Sequence, residues 1–278
     1  MLDELSHLLL IAAHGTFTEA SRHAHLSQPA LTASIRRLEE RFGARLLVRG
    51  RRGAELTAAG AALLPRARAA FAALEDGRRA VAEIAGLRAG EVRIGAGATA
   101  CTYLLPPFLA AFRRAHPGIR FRMREAPADL VLDELARGEL DLGVLTARPG
   151  LGDRWLRDDL VLVAAPGRSA RGAPFVTFPR GTTHRQALDE LFPEADVVME
   201  LGSIASVKAN VRAGIGIALI SSAAVVTDLA AKRLVRVRDP RTPVRRELAL
   251  VHRGVERLTP AAAALRERLL AGVRGRRV

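Results

Sequence analysis

The chain is short of the residues that staple small proteins or build metal sites. Cys101 is the only cysteine among 278 residues. That excludes an internal disulfide and a cysteine-rich zinc site. Lys208 and Lys232 are the only lysines, so nearly all the positive charge is arginine. No apolar run reaches the ~20 residues a membrane helix needs. The opening residues MLDELSHLLLIAAHGTF carry acids where a secretory signal would carry Lys or Arg, so a cytoplasmic protein is expected. His14, His23 and His25 have no Cys or acid partners at ligand spacing, which makes surface or capping roles the expectation rather than a metal site.

What is present is hydrophobic and basic. Hydrophobic residues make up 49%, the composition of a globular chain long enough for a sizeable core. The net charge of +14 points to a polyanionic partner. The excess is not focused at one end. Residues 1–90 hold 13 arginines against 9 acids, and residues 91–278 hold 30 basic residues against 20 acids. Charge alone therefore does not locate a nucleic-acid face.

Spacing is more informative. Leu2, Leu5, Leu9 and Ala12 repeat at helical intervals, and Gly15 ends that helix. Thr16 caps a second helix with Phe17 and Ala20 inward. Ser27 caps a third, with Pro29 in its first turn, where a missing N–H does little harm. Leu31, Ile35, Leu38 and Phe42 form one expected buried stripe. The opposite face carries Pro29, Ala33, Arg36 and Arg37, flanked by Thr32, with Gln28 at its N-terminal end. This is a helix-turn-helix pattern. Gln28 can pair with adenine, Arg36 can reach guanine or phosphate, and Ala30 and Ala33 permit close approach. Arg45, Arg49, Arg51 and Arg52 follow with no acid until Glu55. Residues 46–48 and 54–56 pair as a hairpin with arginines at its tip, either a wing against the DNA backbone or a solvated basic loop.

Ser27, Gln28, Pro29 and Ala30, then Leu31, Ile35, Leu38, Glu39, Phe42, Gly43, Leu56, Thr57 and Gly60, resemble the signature of LysR-type transcription regulators. The resemblance implies a third helix in the major groove and a wing on the flanking backbone. The DNA-contacting residues would be Ser27, Gln28, Pro29, Ala30, Thr32, Ala33, Arg36, Arg49, Arg51 and Arg52. Leu47 departs from the pattern, where the family usually has Phe.

Thr57 caps a long helix expected to run to about Leu87. Leu64, Phe71 and Ala85 share one heptad position, and Ala67, Leu74 and Val81 another. Pro65 should kink or loosen it. Such a stripe packs either on its own domain or on a second copy, and the resemblance favours dimerisation. Gly86 and Gly90 bracket a hinge.

Beyond residue 90, strand and helix patterns alternate, which argues an α/β architecture. Strands are expected at 91–94, 119–125, 140–145, 160–165, 175–178, 197–200, 216–220 and 248–251. Helices are expected near 102–115, 128–137, 183–192, 203–213, 222–231 and 259–272. Gly95, Gly97 and Ala100 spell a dinucleotide-binding fingerprint after a strand, with Glu125 placed as a ribose-binding acid. Against that nicotinamide-enzyme reading, Pro106 and Pro107 would break the helix that should follow. Gly214 and Gly216 come after a helix and before a strand, so close packing explains them better than a phosphate loop.

This half also resembles the LysR effector domain in six blocks: Arg93–Ala96 with Tyr103–Pro106, Gly138–Gly143, Phe178–Arg185, Met199–Ser203, Ala213–Ala218 and Arg233–Val237. The resemblance implies two α/β subdomains around a cleft, like the type II periplasmic binding proteins. A transport receptor shares that fold, but the N-terminal 90 residues argue against it. The implied organisation is a winged helix-turn-helix over 1–58, a linker and dimerisation helix over 59–89, and an effector domain over 90–278. Its subdomains would be 90–164 with 252–278, and 165–251. The implied cleft residues are Thr99, Ala100, Cys101, Ala128, Thr182, Thr183, Arg185 and Ser203. Ala126 and Pro127 lie beside them. Helix starts bearing hydroxyls suit a small anionic or polar effector, and Arg185 would add a charge-assisted bond to a carboxylate. Cys101 is read as a packing residue, with a redox sensor as the alternative. No nucleophile–base pair, metal or cofactor is expected, so the chain is read as a regulator and not an enzyme. Its expected partners are double-stranded promoter DNA at an interrupted inverted repeat, a small effector and itself, as homodimer or tetramer.

Overall fold

The computed structural model describes residues 1–50, 53–86, 90–168 and 172–273. The chain forms two compact units, residues 1–78 with 136–139, and residues 79–135 with 140–278.

The first unit opens with α1 (Leu2–His14), α2 (Phe17–His23) and α3 (Gln28–Phe42). Their ends follow local chemistry. Gly15 closes α1 in the left-handed region at φ 72°, and the Thr16 side chain accepts from the Glu19 N–H to start α2. Ser27 caps α3 through the Ala30 N–H, and Gly43 ends it at φ 63°. Leu8, Ile11, Ala20, Leu31, Ile35 and Leu38 are buried together. Phe42 departs from the expected stripe and is 46% exposed. The chain reverses at Gly43, and the core continues through Leu46 and Leu47 instead.

A hairpin of β1 (Leu47–Gly50) and β2 (Gly53–Leu56) follows, with Leu47 opposite Leu56 and Arg49 opposite Ala54. Then comes α4 (Ala58–Gly86), a single helix that runs through Pro65. Its stripe divides. Ala67 and Phe71 pack on the core of the first unit, while Leu74 and Val81 are 52% and 65% exposed.

The second unit is α/β. Its main sheet includes β3 (Glu91–Ala96), β4 (Arg120–Glu125), β5 (Leu142–Thr146), β6 (Asp153–Ala164), β10 (Val235–Arg236) and β11 (Val244–Val251). Their order is β10-β6-β11-β5-β3-β4, with β9 (Ala218–Ser221) also beside β6. A parallel pair, β7 (Phe175–Thr177) and β8 (Val197–Glu200), connects to the β9 region by a bridge between Phe175 and Ile217. Strands β6 and β11 pair along their length and join a lobe built on β3–β5 to a lobe built on β7–β9.

Helices cover both lobes. In the first lobe, α5 (Pro106–Ala115) and α10 (Pro260–Val273) cover one core with Ile94, Leu142 and Trp155, and α6 (Ala128–Arg137) covers another with Val131 and Leu140. In the second lobe, α8 (Ile204–Arg212) and α9 (Ser222–Ala230) cover Val161, Val176 and Ile220. There α7 (Thr183–Leu191) packs Leu188 on Leu162 and Phe175. No helix among the described residues is long and apolar enough to cross a membrane.

Candidate nucleic-acid interface and effector cleft

The N-terminal site is the outer face of α3. Gln28, Pro29, Ala30, Ala33 and Arg36 are exposed, and Thr32 is half-buried with its hydroxyl donating to the Gln28 carbonyl at 2.9 Å. The arginines beside them differ. Arg37 reaches Glu4 at 3.5 Å and Arg45 reaches Glu39 at 3.3 Å. Arg36 makes no ion pair among the described residues, so its guanidinium stays free for an anion. Ser27 holds the helix start, its hydroxyl accepting from the Ala30 N–H at 3.3 Å and its carbonyl from the Leu31 N–H at 3.0 Å.

The wing is anchored by backbone contacts that no sequence pattern advertises. Buried Glu39 accepts from the N–H groups of Leu46 at 2.8 Å and Leu47 at 3.2 Å. The Ala54 N–H donates to the Gly15 carbonyl at 2.8 Å, and the Thr57 hydroxyl donates to the Arg45 carbonyl at 2.6 Å. Arg49 sits on β1 beside the tip. Its side chain lies outside the described residues, as do Arg51 and Arg52 altogether. His14 and His23 stack at 4.0 Å with their planes 8° apart, and no group of three metal-ligating side chains occurs among the described residues.

The second site lies where strands of the α/β unit end. Thr99, Ala100 and Cys101 follow β3, and the chain there winds into a π-helical turn, Ala100–Leu104, before α5. Pro106 and Pro107 occupy the first turn of α5 rather than breaking it. The dinucleotide fingerprint thus leads into a π turn, not the α-helix N-terminus such a site needs. Gly95 serves packing, since a Cβ there would lie 2.4 Å from Leu140. Gly216 does likewise, with a Cβ 2.4 Å from the Pro174 carbonyl.

The other residues expected in the cleft divide into caps and ligands of their own neighbours. Thr182 caps α7 by accepting from the Arg185 N–H, and Ser203 caps α8 by accepting from the Ser206 N–H. Ala128 starts α6, next to buried Ala126. Thr183 is half-buried in the first turn of α7. Arg185 differs from the expected free cation. Its guanidinium donates to Asp189 and to Glu200, both at 2.7 Å, so its charge is already matched. Burial, with Glu125 nearby, pushes the Cys101 thiol up to about 11.

Residues unmarked by sequence reasoning complete this region. Asp158 on β6 accepts from the Ser221 hydroxyl at 2.7 Å and from Arg246 on β11 at 2.9 and 2.6 Å. Lys208 on α8 lies 5.4 Å above the Tyr103 ring. The pairs are 63 to 105 positions apart in the chain, so no local pattern pointed to them.

A winged helix-turn-helix followed by a long helix and a two-lobed α/β unit defines the architecture of a DNA-binding regulator. The model for "LysR substrate binding domain" matches residues 85–274, and that for "Bacterial regulatory helix-turn-helix protein, lysR family" matches residues 2–61. The chain belongs to the LysR family of transcriptional regulators. Similar proteins are regulators rather than enzymes. The "RuBisCO operon transcriptional regulator" of Allochromatium vinosum is 28% identical over 94% of this chain and 92% of its own length. The "HTH-type transcriptional regulator CbbR" of Rhodospirillum rubrum is 29% identical over 92% and 91%. The crystal structure of full-length CbnR complexed with its target DNA shares the fold at a TM-score of 0.66 and 21% identity, covering 97% of this chain and 98% of that one.

Proposed function

We propose that α3 reads promoter DNA at an interrupted inverted repeat, with two or four copies of the chain presenting paired heads. The observation that carries this is the exposed face of α3 from Gln28 to Arg37, which holds no acid, with Arg36 unpaired on a helix whose start Ser27 caps. The exposed Leu74 and Val81, seven residues apart on α4, supply the apolar stripe for pairing. A small polar or anionic effector occupies the cleft between the lobes, near Thr99, Ala100, Cys101, Ala128, Thr182, Thr183 and Ser203. It shifts DNA affinity only insofar as it binds two arrangements of the protein unequally.

The names of the similar proteins favour a RuBisCO operon as the target. Selection of bound fragments from sheared genomic DNA tests both points. Enrichment of a dyad-symmetric fragment upstream of such an operon is expected. Enrichment with no dyad symmetry would refute the paired-head reading, and a dyad elsewhere would refute the target.

A further inference from the structure

In parallel α/β lobes, ligands collect where strands end and helices begin. The sheet register brings several such ends together. Thr146, the last residue of β5, lies opposite Leu248 on β11. Two residues before Leu248 is Arg246, opposite Asp158 on β6. Ser221, the last residue of β9, lies opposite Leu160, two residues beyond Asp158. Ser221, Asp158 and Arg246 thus form a buried hydrogen-bonded hub where the two crossing strands pass between lobes. Arg246 spends Nε and Nη2 on one oxygen of Asp158, which leaves Nη1 outside the pair.

Among the described residues, two buried polar atoms of the segments expected in the cleft have no protein partner. One is Oγ1 of Thr99, whose residue is 5% exposed, at the end of β3. The other is Nε2 of His184, whose residue is 8% exposed, in the first turn of α7. The His184 ring rests on Phe178 at 4.6 Å. Burial, then the nearby Arg246 charge, lowers His184 to about 3, so its imidazole is neutral near pH 7. An unpaired buried polar atom destabilises the chain that carries it, because water is lost and nothing replaces it. Such sites are where folds depart from local optimum for function.

We propose that His184 and Arg246 form an oxyanion subsite of the effector cleft, in which Nε2–H of His184 and Nη1 of Arg246 donate to a carboxylate or phosphate group of the effector. This rests on the cleft reading above and adds residues absent from it. Asp158 offsets most of the Arg246 charge, so the subsite suits a group of low charge. Ser221 acts as a positioning residue by fixing Asp158.

Thermal unfolding of the full chain tests it, with and without inorganic phosphate, methyl phosphate or acetate, for wild type, His184→Leu, His184→Gln and Thr99→Val. At least one anion should raise the wild-type Tm, and which one distinguishes phosphate from carboxylate recognition. His184→Leu should raise the ligand-free Tm and weaken the apparent anion affinity at least tenfold. His184→Gln, whose amide retains a donor, should keep part of the anion response, and it carries the decision if His184→Leu does not fold. An undiminished response in His184→Leu, or no response in wild type, overturns the subsite. If Thr99→Val loses the response while His184→Leu keeps it, the cleft stands and the subsite alone is refuted. If neither variant changes it, both are refuted.

Discussion

Glu39, near the end of α3, holds the first strand of the wing by accepting from the Leu46 N–H at 2.8 Å and the Leu47 N–H at 3.2 Å. Both amides are buried, so removing the acceptor strands two donors. Glu39→Ala should destabilise the chain by about 1–3 kcal/mol, and Glu39→Gln, which keeps one acceptor oxygen, by less. Urea unfolding with both variants checks this. Equal loss in the two would contradict the assignment.

Two glycines on α4 should respond in opposite directions. A Cβ on Gly60 would lie 2.1 Å from the Leu46 carbonyl, whereas one on Gly77 meets nothing within 4 Å. Gly60→Ala should destabilise by roughly 1–3 kcal/mol despite better helix propensity. Gly77→Ala should stabilise by about 0.4–1 kcal/mol, through the lower entropy of the unfolded chain. Urea midpoints for the pair separate crowding from propensity.

Asp141 joins Arg93 of β3 to Arg79 near the end of α4, with an oxygen 2.9 Å from each guanidinium. Burial pushes its carboxyl up, but hydrogen bonds from Arg93 and Arg79 outweigh that and hold it below the usual aspartate range. A carboxylate lowered in the folded state gives stability that is complete above its unfolded pKa and lost as pH falls through the folded one. Acid should therefore weaken the wild type below about pH 4 more steeply than Asp141→Asn. At pH 7 the variant should be less stable by about 3–5 kcal/mol, since two partly buried cations lose the carboxylate they share. Denaturation curves from pH 7 to pH 3 measure both effects, and parallel pH profiles would refute the linkage.

Cys101 should be a slow nucleophile. With its thiol raised to about 11, little thiolate exists at pH 7.5. Iodoacetamide should modify the folded chain far more slowly than the urea-unfolded chain. Comparable rates would restore the redox reading.

Much of this organisation was legible in the sequence because it rests on local rules. Thr16, Ser27, Thr182 and Ser203 each cap the helix that their spacing announced. Hydrophobic alternation located most strands within a few residues. What escaped depends on distant partners. Strand β6 starts at Asp153 rather than Leu160 because its charged first half pairs with β11 ninety residues later. Arg185 looked like a free cation because Glu200 approaches α7 from the end of β8. The Ser221, Asp158 and Arg246 hub exists only once β6, β9 and β11 align. Phe42 misled for the opposite reason, since periodicity continued past the point where Gly43 turned the chain.

The most direct test of the account is fluorescence anisotropy of the purified chain on a selected dyad fragment and on a scrambled one, from 50 to 300 mM salt, for wild type and Arg36→Ala. Wild type should prefer the dyad, with affinity falling steeply as salt displaces phosphate contacts. Arg36→Ala should lose about 1–3 kcal/mol on the dyad, roughly a five- to hundredfold loss, and much less on the scrambled fragment. Equal affinity for both fragments in wild type, or an Arg36→Ala variant indistinguishable from it, would contradict recognition by the exposed face of α3.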